Sequence, residues 1–176
     1  MKTALKLAAG VGALSALSGL ASTAYAQNSA SATASGSATI VQPITISKTN
    51  DLGFGTIVKP ASGTSTVTVS ATGNTRTFTG TAVGANTSGV SSAAFTVTGE
   101  GGSTFSVSVP STFNMTSGGN SLVVTTINPT GGTGTLSNSI GTQGSLVLGV
   151  GGSFPLANST PSGAYSGSFV VTVAYN

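Results

Sequence analysis

The stretch GAYSGSFVVTVAYN, Gly163 to Asn176, puts Gly163, Tyr165, Gly167, Phe169, Val171, Val173 and Tyr175 on one face at period 2. The other face takes Ala164, Ser166, Ser168, Val170, Thr172 and Ala174. Such alternation predicts a half-buried β-strand reaching almost to the C-terminus. On a free sheet edge, so apolar a strand would template pairing with other chains through its open N–H and C=O groups. It is therefore either interior or built to pair. Upstream, short β patterns recur at 40–47 (IVQPITIS), 51–58 (DLGFGTIV), 65–71 (STVTVSA), 76–83 (RTFTGTAV), 93–99 (AAFTVTG), 103–109 (STFSVSV), 121–127 (SLVVTTI) and 145–150 (SLVLGV). Gly, Pro, Asn and Ser punctuate them, as turns require. Spacings of roughly 8 to 12 residues without a 3.6-residue period predict an all-β sandwich, with no helix in the mature chain.

Three segments add detail. GEGGS, 99–103, reads as a hairpin turn whose flanking strands would bring Phe95 and Phe105 together across a ladder. Residues 128–143 are the longest poorly patterned stretch and read as a surface loop around a weak strand. In 28–40 the even positions Ala30, Ala32, Ala34, Gly36, Ala38 and Ile40 are small or apolar, Asn28 excepted, while the odd positions Ser29 to Thr39 carry hydroxyls. That composition also suits a flexible Ser/Ala linker, but strict period 2 over a dozen residues favours a strand too poor in bulk to hold itself.

The N-terminus has the form of a signal peptide: basic Lys2 and Lys6, a small-residue apolar core over 8–20, and Ala24-Tyr25-Ala26 as an A-x-A cleavage site. The apolar run is short and interrupted by glycine and serine, which disfavours a retained anchor. Three segments are therefore expected: a signal peptide at 1–26, an extension at 27–40 and one domain at 41–176. The mature chain is an exported product without cysteine, so sheet packing or association must supply its stability. After cleavage Lys48, Lys59 and Arg76 stand against Asp51 and Glu100, and the net charge of +3 falls to +1. Three scattered cations cannot track a phosphate backbone, which excludes nucleic-acid binding. Plentiful apolar residues at period 2 argue against disorder, despite the Gly, Ser and Thr content.

Chemistry has few carriers. There is no His or Cys, and the two acids, Asp51 in a TND turn and Glu100 in GEGG, read as solvated turn residues rather than a glycosidase pair. No catalytic residue, cofactor or metal is expected, and calcium would need clustered carboxylates. The clusters Gly53-Phe54-Gly55 and Gly149-Val150-Gly151-Gly152 lack the Lys-Ser/Thr of a P-loop and read as bulges and turns. The sequons at Asn86, Asn114 and Asn158 arise easily by chance in a Ser/Thr-rich chain. A Lys–Asn crosslink at Lys48 or Lys59 is a remote alternative.

The two ends together resemble the structural subunits of chaperone-usher pili, in the cysteine-poor branch related to spore coat protein U-like secreted proteins. The resemblance rests on Gly163 fourteen residues from the end, the alternating Phe169, Val171 and Val173, and the penultimate Tyr175. LGFG at 52–55 and the block AAFTVTGEGGSTFSVSVP add to it. It implies an incomplete immunoglobulin-like β-sandwich completed by donor-strand exchange. Its acceptor groove and chaperone-binding strand would carry Gly163, Phe169, Val171, Val173 and Tyr175. The donor strand would carry Ala30, Ala32, Ala34, Gly36, Ala38 and Ile40, with Gly36 at a shallow pocket. It further implies a periplasmic chaperone, an outer-membrane usher and further copies of the chain as partners, and a cell-surface pilus serving adhesion or biofilm formation. The small size of the donor residues departs from many relatives, whose aliphatic side chains are larger. The rival reading is a self-complemented, secreted β-sandwich coat protein or adhesin; a functional amyloid is disfavoured by the many turn residues.

Overall fold

The computed structural model describes residues 29–176; the expected signal peptide at 1–26 lies outside them. The chain divides into a short N-terminal unit ending at Ala38 and a domain, Thr39–Asn176. In the first unit, residues 29–38 form no strand and are exposed, so the alternation there does not fold into a ladder within this chain. Alanine and glycine offer a strand too little side chain to offset the entropy of ordering it.

The domain is all-β, with no helix among the described residues. Its strands are β1 (Thr45–Asn50), β2 (Gly53–Phe54), β3 (Ile57–Val58), β4 (Thr64–Val69), β5 (Arg76–Thr79), β6 (Val83–Gly84) and β7 (Val90–Ser91). β8 (Ala93–Glu100), β9 (Thr104–Ser108), β10 (Thr112–Ser117), β11 (Asn120–Ile127), β12 (Thr133–Thr135), β13 (Gln143–Ala157) and β14 (Thr172–Tyr175) follow. Every ladder is antiparallel.

β13 organises the sandwich. Its first half pairs β8, which pairs β1, and its second half pairs β4 and β11, with β5 and β10 outside them. β9 lies between β12 and β14 in a separate sheet. The strand changes sheets at Gly149-Val150-Gly151-Gly152, and the reason is steric. A Cβ on Gly149 would lie 2.0 Å from the Ala71 carbonyl oxygen, and one on Gly151 would lie 2.3 Å from that of Val69. The glycines thus serve close backbone approach inside a long strand.

Alternation sorts the side chains as the sequence implies: Ser65, Val67 and Val69 of β4 point in, while Thr64 and Thr66 point out. The apolar faces form two clusters. Val97, Phe105, Val107, Leu136, Leu148, Val150 and Val171 fill one, between β8–β13 and β9–β14. Phe54, Val67, Val69, Val124, Phe154 and Leu156 fill the other. Every buried side-chain polar atom among the described residues has a partner.

Several expectations need correction. GEGGS is not a hairpin: β8 and β9 lie in different sheets, and the turn carries the chain between them. Phe105 is buried in the first cluster, and Phe95 meets Phe169 edge-on at 6.3 Å instead of pairing across a ladder. The predicted strands at 51–58 and 76–83 break at Gly55 and Gly80, whose positive φ of 63° and 88° ends a ladder. The stretch 128–143 contains the expected weak strand, β12, but also a core residue, Leu136, only 2% exposed. In the C-terminal segment the burial alternates as expected from Phe169 to Tyr175, whereas Gly163 and Gly167, placed on the same face by the sequence, are exposed. Ladder pairing is confined to Thr172–Tyr175, apart from one bridge between Ser166 and Thr116.

Candidate functional site

A groove of about 730 Å³ with an apolar floor opens over the second cluster. One wall is the chain from Leu52 to Lys59, containing β2 and β3; the other is the segment from Thr160 to Tyr165. The floor comes from Met115 of β10, Leu122 of β11, and Phe154 and Leu156 of β13. Phe54 packs edge-on against Phe154 at 4.9 Å, with rings inclined at 82°, so wall and floor share one aromatic contact.

Each wall has an identifiable support. On the first, the Arg76 guanidinium donates from Nη1 to the carbonyls of Phe54 (2.5 Å) and Thr56 (3.2 Å), and from Nη2 to that of Asn86 (2.6 Å). It also lies 5.0 Å from the centre of the Phe78 ring. On the second, the Tyr165 hydroxyl donates to the Pro161 carbonyl at 2.9 Å. Lys59 Nζ donates across the groove to the Thr160 carbonyl at 3.4 Å. β2 and β3 pair only with the two-residue strands β7 and β6, and Thr160–Tyr165 belongs to no ladder. Both walls therefore lie largely outside the long ladders, and the wall carbonyls of Phe54, Thr56, Thr160 and Pro161 are held by side chains instead.

Of the acceptor residues named from sequence, only Gly163 lines this groove. A Cβ there would lie 2.5 Å from Ser117 Oγ, and one on Gly167 would lie 2.1 Å from the Asn114 carbonyl oxygen. The two glycines let the segment lie flat along β10. Phe169 stacks on Phe113 at 4.9 Å, Val171 is buried, and Val173 and Tyr175 are half-buried; all four turn toward the first cluster. Of the donor residues, Ala30, Ala32, Ala34, Gly36 and Ala38 are exposed and Ile40 is 91% exposed. The groove's floor was missed in the sequence. Its signals were the alternation Phe113, Met115 in TFNMTS and Phe154, Leu156 in SFPLA, the latter masked by Pro155. That proline is tolerated because the β11 ladder on one edge of β13 ends at Ser153.

The two acids do not form a pair. Asp51 is exposed and bound to Lys48 Nζ at 2.6 Å. Glu100, expected in solvent, is 2% exposed, and its carboxylate accepts from the backbone N–H groups of Gln42 (3.1 Å) and Gly141. Neither acid faces the groove. Among the described residues, no helix is long and apolar enough to cross a membrane.

A family model described as a domain of unknown function (DUF4402) matches residues 44–175. No curated protein and no solved structure matches the chain.

Proposed function

We propose that this chain, which belongs to the DUF4402 family over residues 44–175, is a structural, non-enzymatic subunit of a surface pilus. In this reading residues 27–40 are a donor strand. The groove of one copy takes the extension of the next, after a periplasmic chaperone has held it open and an outer-membrane usher has passed the subunit outward. Fibres of this kind serve adhesion or biofilm formation. The observation that carries the reading is the groove itself. It is a trough with an apolar floor over the second core, bounded by one stretch held only by two-residue ladders and one that joins none. Strand addition uses backbone edges for affinity and side-chain pockets for register. A head-to-tail contact of this type is heterologous and propagates into an open filament.

Deleting Gln27–Thr39 tests the proposal. The expected result is a subunit that its chaperone still captures but that gives neither fibres by electron microscopy nor SDS-resistant ladders. Normal fibres from the deletion would overturn the reading. A wild-type monomer that never forms ladders and unfolds on deletion would replace it with a self-complemented coat protein.

A further inference from the structure

At the end of the first cluster, three chain segments close a ring of hydrogen bonds. The Gln42 N–H donates to Glu100 Oε2 at 3.1 Å. The Glu100 N–H donates to the Tyr175 hydroxyl at 2.7 Å, and that hydroxyl donates to the Gln42 carbonyl at 2.8 Å. The second carboxylate oxygen of Glu100 is held by the Gly141 N–H. A Cβ on Gly99 would lie 2.2 Å from Tyr175 Oη, so the absent side chain gives the phenol its seat.

The ring holds Gln42 by its backbone alone. Both its N–H and its C=O are engaged, and the following Pro43 restricts its dihedrals to the extended region. Ile44 packs on the first cluster and β1 begins at Thr45, so the chain is fixed from Gln42 onward. On the far side, Ile40 is 91% exposed. If the donor strand ends at Ile40, a single residue, Val41, lies between the part held by one subunit and the part held by its neighbour.

We infer that Gln42, Glu100 and Tyr175 form a latch that fixes the root of the extension and makes the joint between successive subunits stiff. The inference rests on the donor-strand reading for the neighbour, but not for the ring. A joint of one free residue behaves as a hinge of small amplitude, whereas several free residues would make a flexible linker. The acid is buried because it holds two backbone donors at the one place where the extension leaves the fold.

The test uses Tyr175→Phe and Glu100→Gln, with Gln42→Ala as a control, since only backbone groups of Gln42 take part. Val69→Ala serves as a second control that weakens the other cluster. Hydrogen exchange at the Gln42 amide, read by NMR on the mature chain, should quicken about tenfold in the first two variants and stay unchanged in the controls. Fibres of the first two should show persistence lengths at least about twofold shorter in electron micrographs. Equal stiffness in all fibres, or Gln42 exchange that follows global stability in Val69→Ala as in Tyr175→Phe, would overturn the latch and leave the donor-strand reading standing. A wild-type chain that forms no fibres would instead overturn the donor-strand reading and with it the joint. Exchange at Gln42 would then still decide whether the ring clasps the root.

Discussion

Arg76 and Glu100 do opposite jobs with the same economy: a cation gathers three carbonyls under one wall of the groove, and an anion gathers two N–H groups at the other core. Hydrogen bonds to charged groups contribute about 1.5 to 3 kcal/mol, against roughly 0 to 1 for an exposed pair such as Lys48–Asp51. Arg76→Ala should therefore lower stability by about 2 to 3 kcal/mol, read as a shifted urea midpoint. Arg76→Lys should recover little of it, because an ammonium cannot spread over three acceptors as a planar guanidinium does; full recovery by lysine would reduce the role to charge alone. Gly36 makes a second residue-scale case. A Cβ there meets nothing within 4 Å, so Gly36→Leu should leave the subunit's own melting unchanged. It should cut fibre yield by overpacking the neighbour's groove, at about 1 to 3 kcal/mol. Ser35→Leu, facing the other way, should matter less, and equal defects at both positions would discard the register. Glu100 itself was not legible as a buried acid. Its GEGG setting is that of a solvated turn, and the groups that hold it, from Gly141, Gln42 and Tyr175, lie 41, 58 and 75 positions away in the chain.

At the level of elements, alternation of β-branched or aromatic residues gave the strands β4, β8, β9 and β11, but it overran at 51–58 and 76–83, where a positive-φ glycine divides the segment. It misjudged the connection at GEGGS, because a hairpin and a crossover between packed sheets use the same glycine chemistry, and only pairing partners distinguish them. It also stopped β13 at Val150, where a run of glycines looked like a terminus. The structure gives those glycines a purpose that is open to test. Gly151→Ala would set a methyl 2.3 Å from the Val69 carbonyl oxygen and 2.6 Å from the Ala71 amide nitrogen, both backbone atoms that cannot rotate away. We expect a loss of about 3 kcal/mol or more, or failure to accumulate folded protein. Ser145→Ala, exposed in the first half of the same strand, should change stability by less than about 0.5 kcal/mol. Similar melting of the two variants would mean that the sheet change in β13 does not depend on close approach.

For the molecule as a whole, alternation at the two ends of the chain led to the expectation of a strand partner. The sequence pointed to the apolar face of Phe169 to Tyr175. That face closes the first cluster, whereas the groove lies over the second, beside Gly163. Its floor could not be read, since Met115, Leu122, Phe154 and Leu156 come from three strands brought together only by the path of β13. This location leads to a prediction independent of pilus assembly. A peptide of residues 28–41 should bind the mature chain lacking Gln27–Thr39 and raise its melting temperature. Ligand at a hundredfold excess over Kd stabilises by about 2.7 kcal/mol, on the order of 10 °C for a domain of this size. Ile40 is the bulkiest donor side chain, so a peptide with Ile40→Ser should lose about 2 kcal/mol of burial and bind roughly thirtyfold more weakly. Leu122→Ser, on the half-buried floor of the groove, should weaken both peptides together, because it removes apolar surface that any donor would cover. A peptide that leaves melting unchanged, or whose effect survives both substitutions, would mean that the groove is not the seat of the extension.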